Sequence, residues 1–191
     1  MNQNSKHAPT NNRGRIILTL FLISTAWIVT GCKDSATEMA ASYGAQRTDA
    51  ELDEVLLQAC MQSNRTDKPI LLQFGADWCS DCRRVEALKQ DSALKEELQN
   101  WVDIKVNVGQ YDRHKDLIQG FSVTSISRWI ALRPNPETRE NGCNSNPGRW
   151  IVLQDTVLEP VSDAKSLKTS SEIVAWLRQA GEKNQGPGDF H

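Results

Sequence analysis

The chain has 191 residues, with 22 Lys and Arg, 24 Asp and Glu, three His and five Cys. That length accommodates one domain with appendages, and 39% hydrophobic with 24% charged residues is enough to build a core, which argues against wholesale disorder. A net charge of −2 offers no bulk attraction to nucleic acid, and no internal repeat supports a collagen, coiled-coil or solenoid reading.

The first segment stands apart from the fold. Lys6, Arg13 and Arg15 precede an apolar run, Ile16–Val29, of 14 residues. A membrane-spanning helix needs about 20 residues, whereas this length suits the apolar region of a secretory signal. The run closes on Val29-Thr30-Gly31-Cys32, which resembles the lipobox of bacterial lipoproteins. That resemblance implies a signal peptide over 1–31, cleavage before Cys32 and a diacylglycerol thioether on Cys32; an ordinary signal or an uncleaved anchor is the alternative. Taking Lys6, Arg13 and Arg15 from the 22 cationic residues leaves 19 against 24 acids, a side-chain charge of −5. Such a chain is not drawn to anionic lipid, so the acyl groups must anchor it. Lys33, not Asp, follows the lipid cysteine; by resemblance to enterobacterial lipoprotein sorting this implies the outer membrane, with the domain facing the periplasm.

Residues 32–47 read as a lipidated cysteine and a flexible polar tether, 48–181 as one α/β domain and 182–191 as a disordered tail. Thr48-Asp-Ala-Glu51 is a capping box that opens a helix with Leu52, Val55, Leu56, Ala59 and Cys60 on one face. Ile70–Phe74 reads as a buried strand, followed by a helix from about Ser80 that turns Val85, Leu88 and Leu94 inward. Val102–Val108 is the next strand. A short helix over Arg113–Gly120 precedes a third strand, Ser127–Leu132. A Pro/Gly/Asn-rich insertion covers about 134–148. Arg149–Leu153 and Val157–Val161 read as a hairpin around Asp155-Thr156. Thr169-Ser-Ser-Glu172 caps a last amphipathic helix that Gly181 can end. Trp129 and Trp150 read as strand residues packed on a sheet face, and His114 as an exposed helix residue.

The chemistry concentrates in Trp78-Cys79-Ser80-Asp81-Cys82. A C-x-x-C pair serves zinc sites and dithiol redox sites. A structural zinc site wants four ligands, yet a second C-x-x-C is missing and only His114 and His191 follow Cys32. The redox setting wants an apolar strand, a turn, and a cysteine opening a helix whose unpaired amides stabilise a thiolate. This sequence supplies that order. No metal ligand set and no organic cofactor is expected.

Phe74-Gly-Ala-Asp-Trp-Cys-Ser-Asp-Cys82 resembles the active-site segment of the thioredoxin superfamily, over roughly residues 50–180. The resemblance implies a thioredoxin-like α/β fold, a central mixed sheet flanked by helices on both faces. It implies Cys79 as attacking thiolate, Cys82 as resolving thiol, and Trp78 as a shield and apolar platform for the partner.

Three departures bear on mechanism. Gln73 stands where many relatives carry a buried Asp that accepts the proton of the second cysteine, and Gln cannot accept it. Lys105 falls where the family places the lysine that pairs with that Asp; otherwise it is a surface strand lysine. Asp81 replaces the usual Pro or His, and an anion beside Cys79 opposes thiolate formation, with Arg83 and Arg84 available to offset it. A less stable thiolate favours a reductant or isomerase over a strong oxidant. The position of the family's cis-proline falls by spacing on Ser127, 45 residues beyond Cys82, with Pro147 as the rival at 65. A hydroxyl there could donate to a bound sulfur or fix the substrate backbone.

Cys60 reads as a buried helix thiol and Cys143 as part of the insertion; an export compartment also permits a bridge between them. The expected function is a lipid-anchored thiol–disulfide oxidoreductase acting on protein disulfides, with a transmembrane reductase as electron donor by resemblance. Two other classes stay open. One is a redox-inactive thioredoxin-fold binding or assembly module, favoured by Gln73 and Ser127. The other is a metal-delivery protein using Cys79, Cys82 and His114.

Overall fold

The computed structural model describes residues 43–136, 143, 146–158 and 166–184. Cys32, the expected 1–31 signal, most of the expected tether, the centre of the insertion, residues 159–161 of the expected second hairpin strand and residues 185–191 lie outside them.

The capping box at Thr48 forms as the residue pattern requires. Glu51 N–H donates to Thr48 Oγ1 at 3.3 Å and Thr48 N–H to Glu51 Oε2 at 2.7 Å, opening α1 (Asp49–Thr66). Leu52, Leu56, Ala59 and Cys60 are its buried stripe. Strand β1 (Ile70–Gly75) is buried along its whole length because both its faces are covered. After the dithiol loop comes α2 (Ser80–Leu88), then α3 (Ser92–Leu98). The expected single helix breaks here. Asp91 accepts from the amides of Ala93 and Leu94, at 3.0 and 3.1 Å, and starts a new helix that buries Leu94.

Strand β2 (Val102–Asn107), helix α4 (Lys115–Gly120), strand β3 (Arg128–Pro134), strand β4 (Trp150–Val157) and helix α5 (Ser170–Asn184) complete the described chain. The sheet order is β2-β1-β3-β4, with β1 parallel to β2 and the other pairs antiparallel. Ile70, Leu72 and Phe74 pack with α1 and α4 in one cluster, whereas Leu71, Trp129 and Ala131 pack with Val85, α3 and α5 in the other. This is the thioredoxin-like α/β layout, a mixed sheet between two helical layers. Trp129 and Trp150 are buried in it, one per cluster.

Three local expectations fail. Asp155-Thr156 is not a turn: β4 runs through it, because Asp155 pairs with Ile130 in register and with the Arg128 guanidinium side-on, Arg128 Nε donating at 2.9 Å. The hairpin partner of β4 is β3, across the insertion. Helix α5 passes Gly181, its last turn held by Lys183 Nζ on the carbonyl of Leu153 at 3.4 Å and Asn184 Nδ2 on that of Asp67 at 3.0 Å. Residues 43–47, read as tether from their composition, are docked against β1 and β2, and Tyr43 is 7% exposed.

Candidate active site

Strand β1 lies second in the four-strand order, between β2 and β3, so the loop leaving its C-terminal end opens above the sheet rather than at its rim. A tight turn follows, with Cys79 N–H donating to the Ala76 carbonyl at 3.1 Å. Cys79 then caps α2: its φ of −75° and ψ of 110° are extended, and its Sγ accepts from the Cys82 amide at 3.0 Å. Cys79 and Cys82 form a disulfide with Cα atoms 5.3 Å apart, and both residues are buried. A sulfur held on a free helix amide is stabilised as thiolate once the bond is reduced.

Trp78 is 46% exposed beside this pair, its ring 6.1 Å from that of Tyr111. Its Nε1 donates to the Gly109 carbonyl at 2.7 Å, which fixes the indole over the β2–α4 loop. A cleft of about 290 Å³ adjoins it, lined by Asp77, Asn107, Gly109, Gln110, Asp112 and Arg113. Gly109 adopts a φ of +58°, open to glycine at little cost.

Asp81 sits in the first turn of α2, and Arg84 Nε lies 3.6 Å from its Oδ1. Arg84 also donates to the Leu158 and Lys168 carbonyls, the latter at 3.0 Å. Arg83 goes elsewhere, NH1 donating to the Asp77 carbonyl at 2.9 Å. Of the two arginines, Arg84 is the one that pairs with Asp81.

Gln73 is fully buried and bridges two charges: Nε2 donates to Asp103, and Oε1 accepts from Lys89. Lys105 does not reach across to position 73. Its Nζ binds Glu86 Oε2 at 2.8 Å, while Lys89 Nζ takes Oε1 at 2.8 Å. Burial works to raise the Glu86 carboxyl, but the hydrogen bonds and charges of the two lysines outweigh it and hold the group below its ordinary range. Burial also lowers the Lys89 ammonium, which stands 5.2 Å over the Trp129 ring.

Ser127 is 1% exposed and immediately precedes β3; the Ile126–Ser127 peptide is cis. Its carbonyl accepts from Leu158 N–H at 2.8 Å, and its Oγ has no hydrogen-bond partner among the described residues. Pro147 lies in a short 3-10 turn, Pro147–Arg149, that leads into β4.

Cys60 and Cys143 are bridged, rather than a buried thiol and a loop cysteine. Cys143 packs against the cluster that contains Cys60 of α1. His114 is not exposed: it is 5% accessible at the N-terminus of α4, with Nδ1 2.7 Å from Asp49 Oδ1 at the start of α1. It therefore stays out of the dithiol, and among the described residues no group of three or more His, Cys, Asp or Glu is placed to hold a metal ion.

Sequence reasoning passed over Tyr43, Asp77 and Asn107, which meet around the dithiol loop. Asp77 and Asn107 each end a strand-to-loop passage, a signal that could have marked them. Nothing local marks Tyr43, 36 residues before Cys79.

No protein-family model matches the chain. It is 33% identical over 88 residues to the thiol:disulfide interchange protein TxlA of Synechococcus elongatus; the match covers 44% of this chain and 41% of that protein. The chain thus spans less than half the length of that curated relative. It is 26% identical over 134 residues to Thioredoxin-T of Drosophila melanogaster, covering 69% and 79%. The crystal structure of a disulphide isomerase from Xylella fastidiosa Temecula1 superposes with a TM-score of 0.52 at 22% identity, over 71% of this chain and 94% of that one. At that identity the likeness shows the fold.

Proposed function

We propose that this chain, thioredoxin-like in its fold and in its Trp-Cys-x-x-Cys segment, is a thiol–disulfide oxidoreductase that reduces or isomerises protein disulfides. The observation that carries the reading is Cys79 Sγ seated on the Cys82 amide at the start of α2, within bonding reach of Cys82. The Cys79 thiolate attacks one sulfur of a client disulfide. A mixed disulfide forms, and the other client sulfur departs as a thiolate that takes up a proton. Cys82, once deprotonated, attacks Cys79 Sγ; the client leaves with both sulfurs reduced, and Cys79–Cys82 is oxidised by the same two electrons. Gln73 cannot take the Cys82 proton, so solvent or a client group must. Trp78 and Tyr111 offer the client an apolar surface beside the attacked sulfur.

The direction of electron flow follows from charge. The Asp81 carboxylate opposes the Cys79 thiolate, Arg84 weakens that opposition, and the balance favours a reductant or isomerase over a strong oxidant. A dithiol donor must then recycle the pair; a transmembrane reductase suits a domain held at a membrane by a lipidated Cys32 and facing the periplasm. The signal-like run and the Val29–Cys32 segment support that anchoring.

The test is mixed-disulfide trapping with the chain lacking residues 1–32. The Cys82→Ser protein accumulates client adducts and the Cys79→Ser protein accumulates none. Trapping by neither variant would favour a redox-inactive binding module. Acyl labelling in a bacterial host tests the anchor: Cys32→Ser loses the label and the wild type carries it.

A further inference from the structure

Tyr43 lies outside every helix and strand, yet it is as buried as the core. Its ring rests on Gly75, the last residue of β1. A Cβ added to Gly75 would stand 2.5 Å from Tyr43 Cε1 and 2.8 Å from Cε2. The hydroxyl donates to the Gln73 carbonyl at 3.2 Å, and Lys105 Nζ lies 5.6 Å from the ring centroid. The central strand has no side chain at its end, and residue 43 supplies one from the other side of the chain.

The Tyr43 backbone completes the arrangement. Its N–H donates to Asp77 Oδ1, and its carbonyl accepts from Asn107 Nδ2 at 3.1 Å. Asn107 Oδ1 accepts from Gly109 N–H at 3.0 Å, and the Gly109 carbonyl accepts from Trp78 Nε1 at 2.7 Å. The bonds run from Tyr43 through Asn107 and Gly109 to Trp78, then return along the chain to Asp77 and back to Tyr43. Cys79 is the residue after this closed circuit. Gln46 reinforces it, Nε2 donating to Asp77 Oδ2 at 3.4 Å.

We propose that Tyr43 is a positioning residue for Cys79: by filling the space over Gly75 and closing the circuit through Asp77, it holds the 76–79 turn in the one conformation that keeps Cys79 Sγ on the Cys82 amide. The inference rests on the dithiol role given above. An N-cap bond exists only while the cap residue keeps its extended backbone. Without the Tyr43 ring the turn retains the Cys79–Ala76 backbone bond, the Arg83 contact with the Asp77 carbonyl, the Trp78–Gly109 bond and a long Asn107 Nδ2–Asp77 Oδ1 bond at 3.5 Å, but it loses the ring that fills the space over Gly75 and seats the Tyr43 backbone on Asp77. The Cys79 sulfur then spends less time on the amide, its thiolate is less stable, and the pair is less oxidising.

The experiment uses the full chain, reduced, as wild type, Tyr43→Ala, Gly75→Ala, the double variant and Tyr43→Phe. Iodoacetamide alkylation of Cys79 is followed against pH by mass spectrometry of its peptide, with thermal melting alongside. Tyr43→Ala and Gly75→Ala each move the alkylation midpoint upward and slow the reaction at pH 7 by about tenfold, the scale of one hydrogen bond to a charged group. The double variant goes no further than the larger single change, because both singles break the same contact. Tyr43→Phe, which keeps ring and backbone, stays within about twofold of wild type. A folded Tyr43→Ala protein with an unmoved midpoint, or additive shifts in the double variant, overturns the proposal even if melting temperatures fall. If Tyr43→Ala does not fold, Gly75→Ala, one methyl larger than wild type, decides alone. Alkylation needs no disulfide exchange. A chain that shows the shift but reduces no protein disulfide keeps this inference and loses the oxidoreductase reading; an active chain with unmoved midpoints does the reverse.

Discussion

Lys105 Nζ lies 2.8 Å from Glu86 Oε2, so the strand lysine beneath the dithiol loop is neutralised by α2 and not by position 73. The reason is local. With Gln at position 73, no carboxylate stands on β1 to receive an ammonium, and Gln73 instead spends its amide on Asp103 and its carbonyl on Lys89. Glu86 gathers the two lysines and ties the C-terminal half of α2 to β2. The position to which the resemblance assigns an acid is Gln73 here, part of a network with Asp103, Lys89 and Glu86 that holds the helix.

Glu86→Gln removes both ion pairs and lowers stability at pH 7 by about 1–2 kcal/mol, discounted for partial exposure. The folded-state carboxyl is held below its ordinary value, so its contribution is fully present above the unfolded value and is lost as pH falls through the lower folded value. Denaturant melts of wild type and variant should therefore keep their gap through the ordinary glutamate range and converge only at lower pH. A gap that already closes as the pH falls through the ordinary glutamate range would show that the lysines do not hold Glu86 ionised.

Ser127→Ala removes a buried hydroxyl that has no partner among the described residues. Stability should stay within about 0.5 kcal/mol of wild type, or rise, because no hydrogen bond is lost. If the hydroxyl meets the client, kcat/KM for protein-disulfide reduction falls several-fold in the same variant. Unchanged turnover would assign Ser127 to packing alone.

The Cys60–Cys143 bridge joins residues 83 apart and ties the insertion to α1. Replacing both cysteines by Ala should cost about 2–4 kcal/mol, through the entropy released to the unfolded chain. Disulfide exchange at Cys79 should persist at temperatures where the variant remains folded. A variant as stable as wild type in a urea titration would mean the bridge restrains little in the unfolded ensemble.

Asp81→Asn removes an anion from the first turn of α2 with little change in shape. Arg84 already pairs with Asp81, so the Cys79 pKa should fall by less than about one unit. Arg84→Ala should move it the other way, by exposing Cys79 to an unpaired carboxylate. Thiolate absorbance titrations at low salt read both. Shifts of the same sign in the two variants would mean that neither charge acts on the sulfur directly.

The dithiol, its place between a strand and a helix, and the α/β class were legible in the sequence because each is a local matter. Spacing puts Cys79 and Cys82 one helical turn apart, Thr48 and Glu51 in a capping box, and an apolar run in β1. Other features depended on contacts far apart in the chain, which no local pattern encodes. Asp155-Thr156 carried polar turn-like residues, but pairing with Ile130 and Arg128 kept it in the strand. The composition of residues 43–47 suits a tether, but Gly75 leaves room that the Tyr43 ring fills, and burial of an aromatic ring outweighs the polarity of its neighbours. Cys60 and Cys143 lie 83 residues apart with no local pattern to join them; only the packing of Cys143 against the cluster around Cys60 brings their sulfurs within bonding distance. The sequence by itself determined which atoms can exchange electrons. Packing among residues distant in the chain decided what surrounds those atoms: the Tyr43 ring on Gly75, and Glu86 of α2 on Lys105 of β2.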